Sequence, residues 1–346
     1  MCYDDTIVHG ATTLKPDQTH DAPEPGRGQS PWRRRALFAT KLALAIGLLA
    51  WLLFSGRLDF ARLREIRHTG YLFAAVATLV ALLGLQAFRW FLLLGLQRLP
   101  VRPLMAVRLY WLGQFANFFL PGATGGDLAK AYAVCRHLPE AKTRAVSTVF
   151  MDRAFGVHSL FTVGSTAGVI LLLQGPYSGK LGVLLLAILC LFAATAGLSM
   201  LLWRRTSALA LRLLPGRIRG SLASSLELYR HSPRRLLGVW LVSCVCSLFG
   251  ITAYCLVAAA LGVAISLEQV LAVPLVMAAL SLPFTPGGLG IGETIGSELY
   301  ATFGVADGAL IVLLVRLLIV VVSLPGMSIL LTGLEPRETG YRLDTS

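Results

Sequence analysis

Apolar segments of membrane-spanning length constrain the fold of this chain more than any other feature. A helix needs about 20 consecutive apolar residues to cross the hydrocarbon core of a bilayer. The segments that we predict to span the membrane are 36–54, 71–95, 146–173, 181–203, 236–262 and 307–332. With 55% hydrophobic and 14% charged residues, the composition lies outside the range of soluble domains. The sequence therefore predicts an all-α polytopic membrane protein with about six full spans.

Proline and glycine interrupt two further apolar regions, 104–135 and 268–303. The first contains LPGATGGD and the second LPFTPGGLGIGE, so each region breaks and then resumes with an acidic residue. Such a break leaves backbone N–H and C=O groups without helical partners, which is costly in hydrocarbon unless protein or a water-filled cavity satisfies them. The limbs of 104–135 are also too short for two comfortable crossings. We therefore predict that each region forms a re-entrant hairpin of two broken helices.

Basic residues beside the spans predict the orientation, because cytoplasmic loops are enriched in lysine and arginine. Three arginines at 33–35 precede the first span, and loop 204–235 is rich in arginine. We therefore expect both termini and loop 204–235 to be cytoplasmic, which requires each hairpin to enter and leave on one side. Loop 55–70 also carries arginines although it falls on the predicted outside, so we assign it to an amphipathic segment at the interface. The net charge of +13 thus indicates topology rather than a nucleic-acid partner.

The predicted spans divide the chain into two similar halves. Residues 1–35 are polar and rich in proline and glycine, which predicts a disordered cytoplasmic tail. The first transmembrane half covers 36–173 and the second covers 174–333, and a short tail, 334–346, follows. Each half has two spans, a hairpin and a third span, so the halves have opposite orientations. Inverted repeats with broken helices that meet near the midplane are typical of secondary transporters.

Few ionisable residues fall at membrane depth, and each costs roughly 3 kcal/mol or more at the bilayer centre unless it faces a cavity or a partner. They are Arg89, Asp127, Lys130, Asp152, Arg153, Glu293, Glu298 and Arg316. In one interpretation they form structural pairs, Asp127 with Arg153 or Lys130 and Glu293 with Arg316. In the other they line a functional site.

The functional interpretation is an anion site at the two hairpin tips. Backbone N–H groups of glycine-rich turns at helix N-termini bind anions, and glycine lets a backbone approach a ligand closely. Arginine adds the bidentate geometry that suits phosphate. The predicted substrate-binding residues are Gly122, Gly125, Gly126, Asp127, Lys130, Arg153, Pro286, Gly287, Gly288, Glu293 and Arg316. A polar centre of this kind inside an apolar shell fits an amphiphile with an anionic head better than a bare ion or a sugar.

These segments also carry a family resemblance. The stretches GQFANFFLPGATGGDLAKAY, MDRAFG at 151–156 and LPFTPGGLGIGETIG resemble the lysylphosphatidylglycerol synthase transmembrane-region family, over nearly all of 36–332. The resemblance implies a flippase-like integral membrane protein of the plasma membrane. The chain departs from the family pattern at Lys130, where arginine is usual after GGD, and at Gly292, where arginine is frequent before the acid.

Three functions remain open from the sequence. The leading hypothesis is translocation of an anionic lipid or a lipid-linked precursor across the plasma membrane. The alternatives are a proton-coupled permease for a soluble solute, with Glu293 or Asp127 as the carrier, and an integral-membrane lipid-phosphate transferase. Neither a catalytic constellation nor zinc-ligand spacing is visible, and the six cysteines fit small apolar positions. We therefore expect no catalytic residues, no metal and no cofactor.

Overall fold

The computed structural model of the chain confirms the all-α membrane architecture. It describes residues 68–119, 125–174, 183–184, 187–196, 225, 227–229, 231–263, 266, 270, 272–280, 291–302, 305 and 307–332. Of these residues, 91% are helical and none lies in a strand. Several predicted features fall outside the described residues: both tails, the span 36–54, most of loops 55–70 and 204–235, and the hairpin tips at 120–124 and 281–290.

The described helices are, in chain order, α1 (Thr69–Leu96), α2 (Pro103–Phe119), α3 (Gly125–His137), α4 (Lys142–Gln174), α5 (Ala187–Ala196), α6 (Pro233–Ala260), α7 (Ala272–Leu280), α8 (Ile291–Thr302), α9 (Gly308–Ser323) and α10 (Pro325–Thr332). Four helical segments are long and apolar enough to cross a membrane: α1, α4 with its preceding 3₁₀ turn, α6, and α9 with α10. They coincide with the predicted spans 71–95, 146–173, 236–262 and 307–332. Helix α5 covers part of the predicted span 181–203.

Local backbone signals explain where the long helices end. Helix α6 closes with a Schellman motif, in which the Val263 N–H donates to the Ala258 carbonyl over 2.9 Å. Gly262 supplies the positive φ of +74° that this motif needs. Helix α1 ends in the same way, with Arg98 at φ 53° and the Leu99 N–H bonded to the Leu94 carbonyl. Backbone N–H groups that follow α1 and α6 therefore donate to carbonyl groups in the last turn of each helix.

Helices α2 and α3 form the first predicted hairpin. They run antiparallel, because Ala106 and Leu109 pack with Ala133 and Val134 at one end while Gly113 meets Gly126 nearer the break. With 13 residues, α3 is about 20 Å long at 1.5 Å per residue. That length falls short of the about 30 Å of a bilayer core, so α3 is too short to cross a bilayer singly.

Helices α7 and α8 flank the second predicted break. They have 9 and 12 residues, so they are also too short to cross a bilayer singly. Helix α8 packs closely on α9, where a Cβ on Gly308 would lie 2.6 Å from the Gly296 carbonyl oxygen. Because a Cβ essentially never approaches an oxygen so closely, only glycine allows this backbone contact.

Helices from both predicted halves pack into one bundle. Helix α1 packs along α6 through Leu79, Leu82 and Leu83 on one side and Cys246 and Ala253 on the other. The buried side chains of α6, α7, α8 and α9 form a second apolar cluster, which also includes Ala75 of α1. Helices α1 and α6 thus place residues of both halves around a common centre.

The last predicted span is broken at Leu324–Pro325, where α9 passes into α10. Proline has no N–H to donate and commonly breaks a helix. The indole N–H of Trp111 in α2 donates to the Val322 carbonyl beside this break, over 3.2 Å. Gly326 then packs directly against α2, since a Cβ there would lie 2.8 Å from the Phe115 Cβ. The break therefore allows α10 to pack onto the first hairpin.

Candidate functional site

A cavity of about 250 Å³ lies between the helices of both halves. Its polar lining comes from α1, α2, α4, α6 and α9: Gln86, Arg89, Tyr110, Gln114, Asn117, Asp152, Arg153, Ser159, Ser247, Tyr254 and Arg316. Met277 of α7 and several leucine and valine side chains complete the wall. Arginines of the first and second halves therefore face the same space.

Five charged side chains of the first half form one continuous chain of ion pairs, which we call the ion chain. Arg89 Nε donates to Asp152 Oδ1 over 2.8 Å, and Lys130 Nζ donates to Asp152 Oδ2 over 3.0 Å. Lys130 Nζ also lies 3.7 Å from Asp127 Oδ1, and Asp127 Oδ2 accepts from Arg153 Nε. The order along the ion chain is Arg89, Asp152, Lys130, Asp127, Arg153, so cations and anions alternate.

The members of the ion chain differ sharply in burial. The side chains of Arg89, Lys130 and Asp152 are 5%, 3% and 3% exposed. Arg153 keeps 37% exposure and lines the cavity. The ion chain therefore has a buried end at Arg89 and an accessible end at Arg153.

Two aromatic rings hold the ammonium group of Lys130. Its Nζ lies 4.8 Å from the centroid of the Trp90 ring and 4.5 Å from that of Tyr110. Trp90 is fixed by donating from Nε1 to Thr148 Oγ1 over 3.0 Å, and the Tyr110 hydroxyl donates to Gln86 over 3.3 Å. Cation–π attraction and two carboxylates together offset the cost of burying this charge.

The second half contributes one buried ion pair. Arg316 Nη1 of α9 lies 2.8 Å from Glu293 Oε1 of α8, and the Glu293 side chain is fully buried. Arg316 lines the cavity whereas Glu293 lies behind it. The pairing of Glu293 with Arg316 that the sequence indicated is therefore observed, as is that of Asp127 with Arg153.

The N-terminus of α3 is capped by the neighbouring helix. The Gly126 N–H donates to Asn117 Oδ1 over 2.7 Å, and a Cβ on Gly126 would overlap the Gly113 carbonyl oxygen. The close backbone approach expected at Gly126 is thus made to α2. Asp127 lies in the first turn of α3, where a negative charge complements the helix dipole.

The structure brings together most of the predicted site residues that it describes. Gly126, Asp127, Lys130 and Arg153 line a small recess beside the cavity, and Gly125 is buried next to them. Arg316 reaches the cavity from the other half. Gly122, Pro286, Gly287 and Gly288 lie outside the described residues. Glu298, also predicted at membrane depth, is exposed on α8.

Several cavity residues were not among the predicted site residues. Arg89 and Asp152 were recognised only as charges at membrane depth, and Tyr110, Gln114 and Asn117 were not singled out. Polar side chains inside an apolar segment, as in GQFANFF, were the available signal for Gln114 and Asn117. Within the described ranges, no group of three or more histidine, cysteine or acidic side chains is arranged to hold a metal ion.

The helices and the cavity define an integral membrane protein with a polar, arginine-lined centre. The sequence model of the family described as lysylphosphatidylglycerol synthase TM region matches residues 38–326. The chain belongs to this family, which confirms the resemblance of its hairpin motifs. No match is found among curated proteins or among solved structures.

Proposed function

We propose that the protein translocates an anionic lipid or a lipid-linked precursor across the plasma membrane through its central cavity. The observation that carries this proposal is the net charge of the ionisable side chains that line the cavity or pair with those that do. Four cations, Arg89, Lys130, Arg153 and Arg316, meet three anions, Asp127, Asp152 and Glu293, in the ion chain and the second pair. The described cluster therefore has one positive charge in excess, which favours an anionic ligand.

The size of the cavity supports a headgroup rather than a whole lipid. Pockets that enclose drug-sized ligands measure about 300–1,000 Å³, and this cavity is somewhat smaller at about 250 Å³. A phosphate-containing headgroup fits such a space while its acyl chains stay in the surrounding bilayer. The family is described as the transmembrane region of lysylphosphatidylglycerol synthase, and lysylphosphatidylglycerol is itself a phospholipid.

The proposed binding residues follow from this geometry and from the sequence. Arg153 and Arg316 contact the anion from opposite halves, Asp127 and Glu293 orient them, and Lys130 adjusts the local charge. Their sequence pattern alone adds Gly122, Gly125, Gly126, Pro286, Gly287 and Gly288 to the proposed binding residues. We place both termini in the cytoplasm, in keeping with the basic residues beside the spans.

The decisive experiment separates an anion site from a set of structural pairs. In proteoliposomes, we expect wild-type protein to move fluorescent phosphatidylglycerol between leaflets, and Asp127→Asn/Arg153→Gln protein to fold but fail. Arg108→Gln is the control, because Arg108 is exposed on α2 and does not line the cavity. Wild-type rates in the well-folded double variant would reduce Asp127 and Arg153 to a structural pair.

The same proteoliposomes distinguish the other two functions. Uptake of a soluble solute driven by a proton gradient, without lipid movement, would favour a permease. A covalent product formed from labelled lipid would favour a transferase. We expect neither signal.

A further inference from the structure

The ion chain contains one lysine placed between two carboxylates, and this arrangement has a consequence for ligand binding. Lys130 Nζ lies 3.0 Å from Asp152 and 3.7 Å from Asp127. Asp152 has a second cation, Arg89, at 2.8 Å. A movement of the lysine toward Asp127 would therefore leave Asp152 paired.

We infer that Lys130 is a positioning residue that takes over Asp127 when Arg153 turns from that carboxylate to a monoanionic phosphate ester in the cavity. The inference rests on the proposed function, since it assigns the phosphate to Arg153. It goes further than the proposed function because it describes ligand binding as an exchange of ion-pair partners. In this exchange Arg153 is paired with Asp127 before the ligand arrives.

The aromatic rings lower the free-energy cost of moving the Lys130 ammonium in this exchange. Trp90 and Tyr110 both face the Lys130 ammonium, and each ring is held by its own hydrogen bond. Because cation–π attraction acts over a ring face rather than along one bond, the ammonium can shift by a fraction of an ångström without losing it. The rings therefore support Lys130 in both positions.

Charge balance identifies the ligand class. The ion chain has three cations and two anions, with Arg153 at its accessible end. One negative charge at Arg153 extends the alternation and neutralises the ion chain. A phosphodiester carries this single charge, whether it belongs to a lipid headgroup or to a soluble glycerophosphodiester.

Replacing Lys130 by methionine tests the exchange directly. Without Lys130, Asp127 has Arg153 as its cation and holds it, so we expect binding of phosphatidylglycerol to weaken by about tenfold, the size of coupling found between contacting charges. Adding Asp127→Asn to this variant releases Arg153 and should restore binding. Asp127→Glu is the matched control, because it keeps the carboxylate and should restore nothing.

Binding is measured by native mass spectrometry in the presence of phosphatidylglycerol or zwitterionic phosphatidylcholine, separately from lipid movement. Lys130→Arg keeps a cation beside Asp127 and should bind phosphatidylglycerol more tightly than Lys130→Met does, and Asp127→Asn alone should bind it more tightly than wild type does. These two variants keep the test valid if Lys130→Met protein fails to fold. Competition by soluble glycerophosphoglycerol, which is the singly charged headgroup of phosphatidylglycerol without its acyl chains, distinguishes recognition of the phosphodiester alone from recognition of a lipid, and the exchange holds in both cases.

Failure of the inference and failure of the proposed function give different results. Lipid movement by wild-type protein without the rescue by Asp127→Asn would overturn the exchange and leave translocation standing. The rescue pattern in binding without lipid movement would support the exchange and overturn translocation. Equal binding of phosphatidylglycerol by all variants, or none by wild type, would overturn the inference.

Discussion

Gly126 and Asn117 join the two limbs of the first hairpin: the Gly126 N–H donates to Asn117 Oδ1 over 2.7 Å. The acceptor belongs to α2 and the donor to the first turn of α3, so one limb caps the other. Side-chain caps normally come from the residue that precedes a helix. A cap from the opposite limb makes the start of α3 depend on the packing of the hairpin.

Removing this cap should destabilise the hairpin without changing its charge. We expect Asn117→Ala to lower the free energy of unfolding by about 1 kcal/mol, the usual value of a helix cap. Thermal unfolding in detergent measures the effect. Asn117→Asp keeps an acceptor and should stay close to wild type, whereas equal losses in both variants would show that the cap contributes nothing.

Gly126→Val should prevent the hairpin from closing. The added Cβ would overlap the Gly113 carbonyl oxygen, and both positions are backbone, so no flexible side chain can move aside. We expect a lower yield of folded protein and loss of lipid movement in the remainder. Gly84→Val is the matched control, because nothing lies within 4 Å of a Cβ at that helical glycine. Similar behaviour of the two variants would contradict the close approach.

Arg89 and Arg153 should respond differently to removal of their charge. Arg89→Met breaks a buried pair at the closed end of the ion chain, and breaking such a pair costs about 3–5 kcal/mol. Arg153→Met acts at the accessible end, so the Arg153→Met protein should lose less stability than the Arg89→Met protein. It should nevertheless lose lipid movement. Melting temperature and transport rate are compared for both variants. Greater destabilisation by Arg153→Met would reverse the assignment of the two ends.

Two exposed positions, Glu140 and Ser266, provide a test of orientation. In a background without the six native cysteines, Glu140→Cys in the turn before α4 should label from the cytoplasm. Ser266→Cys, after α6, should label from outside. A membrane-impermeant maleimide, applied to intact cells and to inverted vesicles, reads out each position. Labelling of both from one side would contradict the inverted repeat.

The sequence predicted the long helices well because bilayer thickness sets their length. The predicted span 71–95 differs by only a few residues from α1, Thr69–Leu96. The cost of unpaired backbone groups in hydrocarbon likewise indicated that the breaks within 104–135 and 268–303 need polar partners from protein or water. The break at Leu324–Pro325 was not predicted, since the apolar composition continues through it and its packing against α2 is visible only in the structure.

The sequence predicted that the buried charges need partners, but it only partly predicted which ones. Asp127 with Arg153 and Glu293 with Arg316 were among the predicted pairs, and both are observed. The sharing of Asp152 between Arg89 and Lys130 was not predicted. Partner choice depends on how each helix is rotated in the bundle, and a uniformly apolar helix carries little sequence information about its rotation.

The two glycine contacts, Gly113 with Gly126 and Gly296 with Gly308, bear on how the bundle can move. Each is a contact of main chain on main chain, so there are no rotamers whose rearrangement would let one helix slide past the other. If the cavity opens, we expect α2 to move together with α3 and α8 together with α9. Each pair would move as a rigid body relative to α1 and α6. The mechanical freedom of this protein would then lie between its paired helices and not within the pairs.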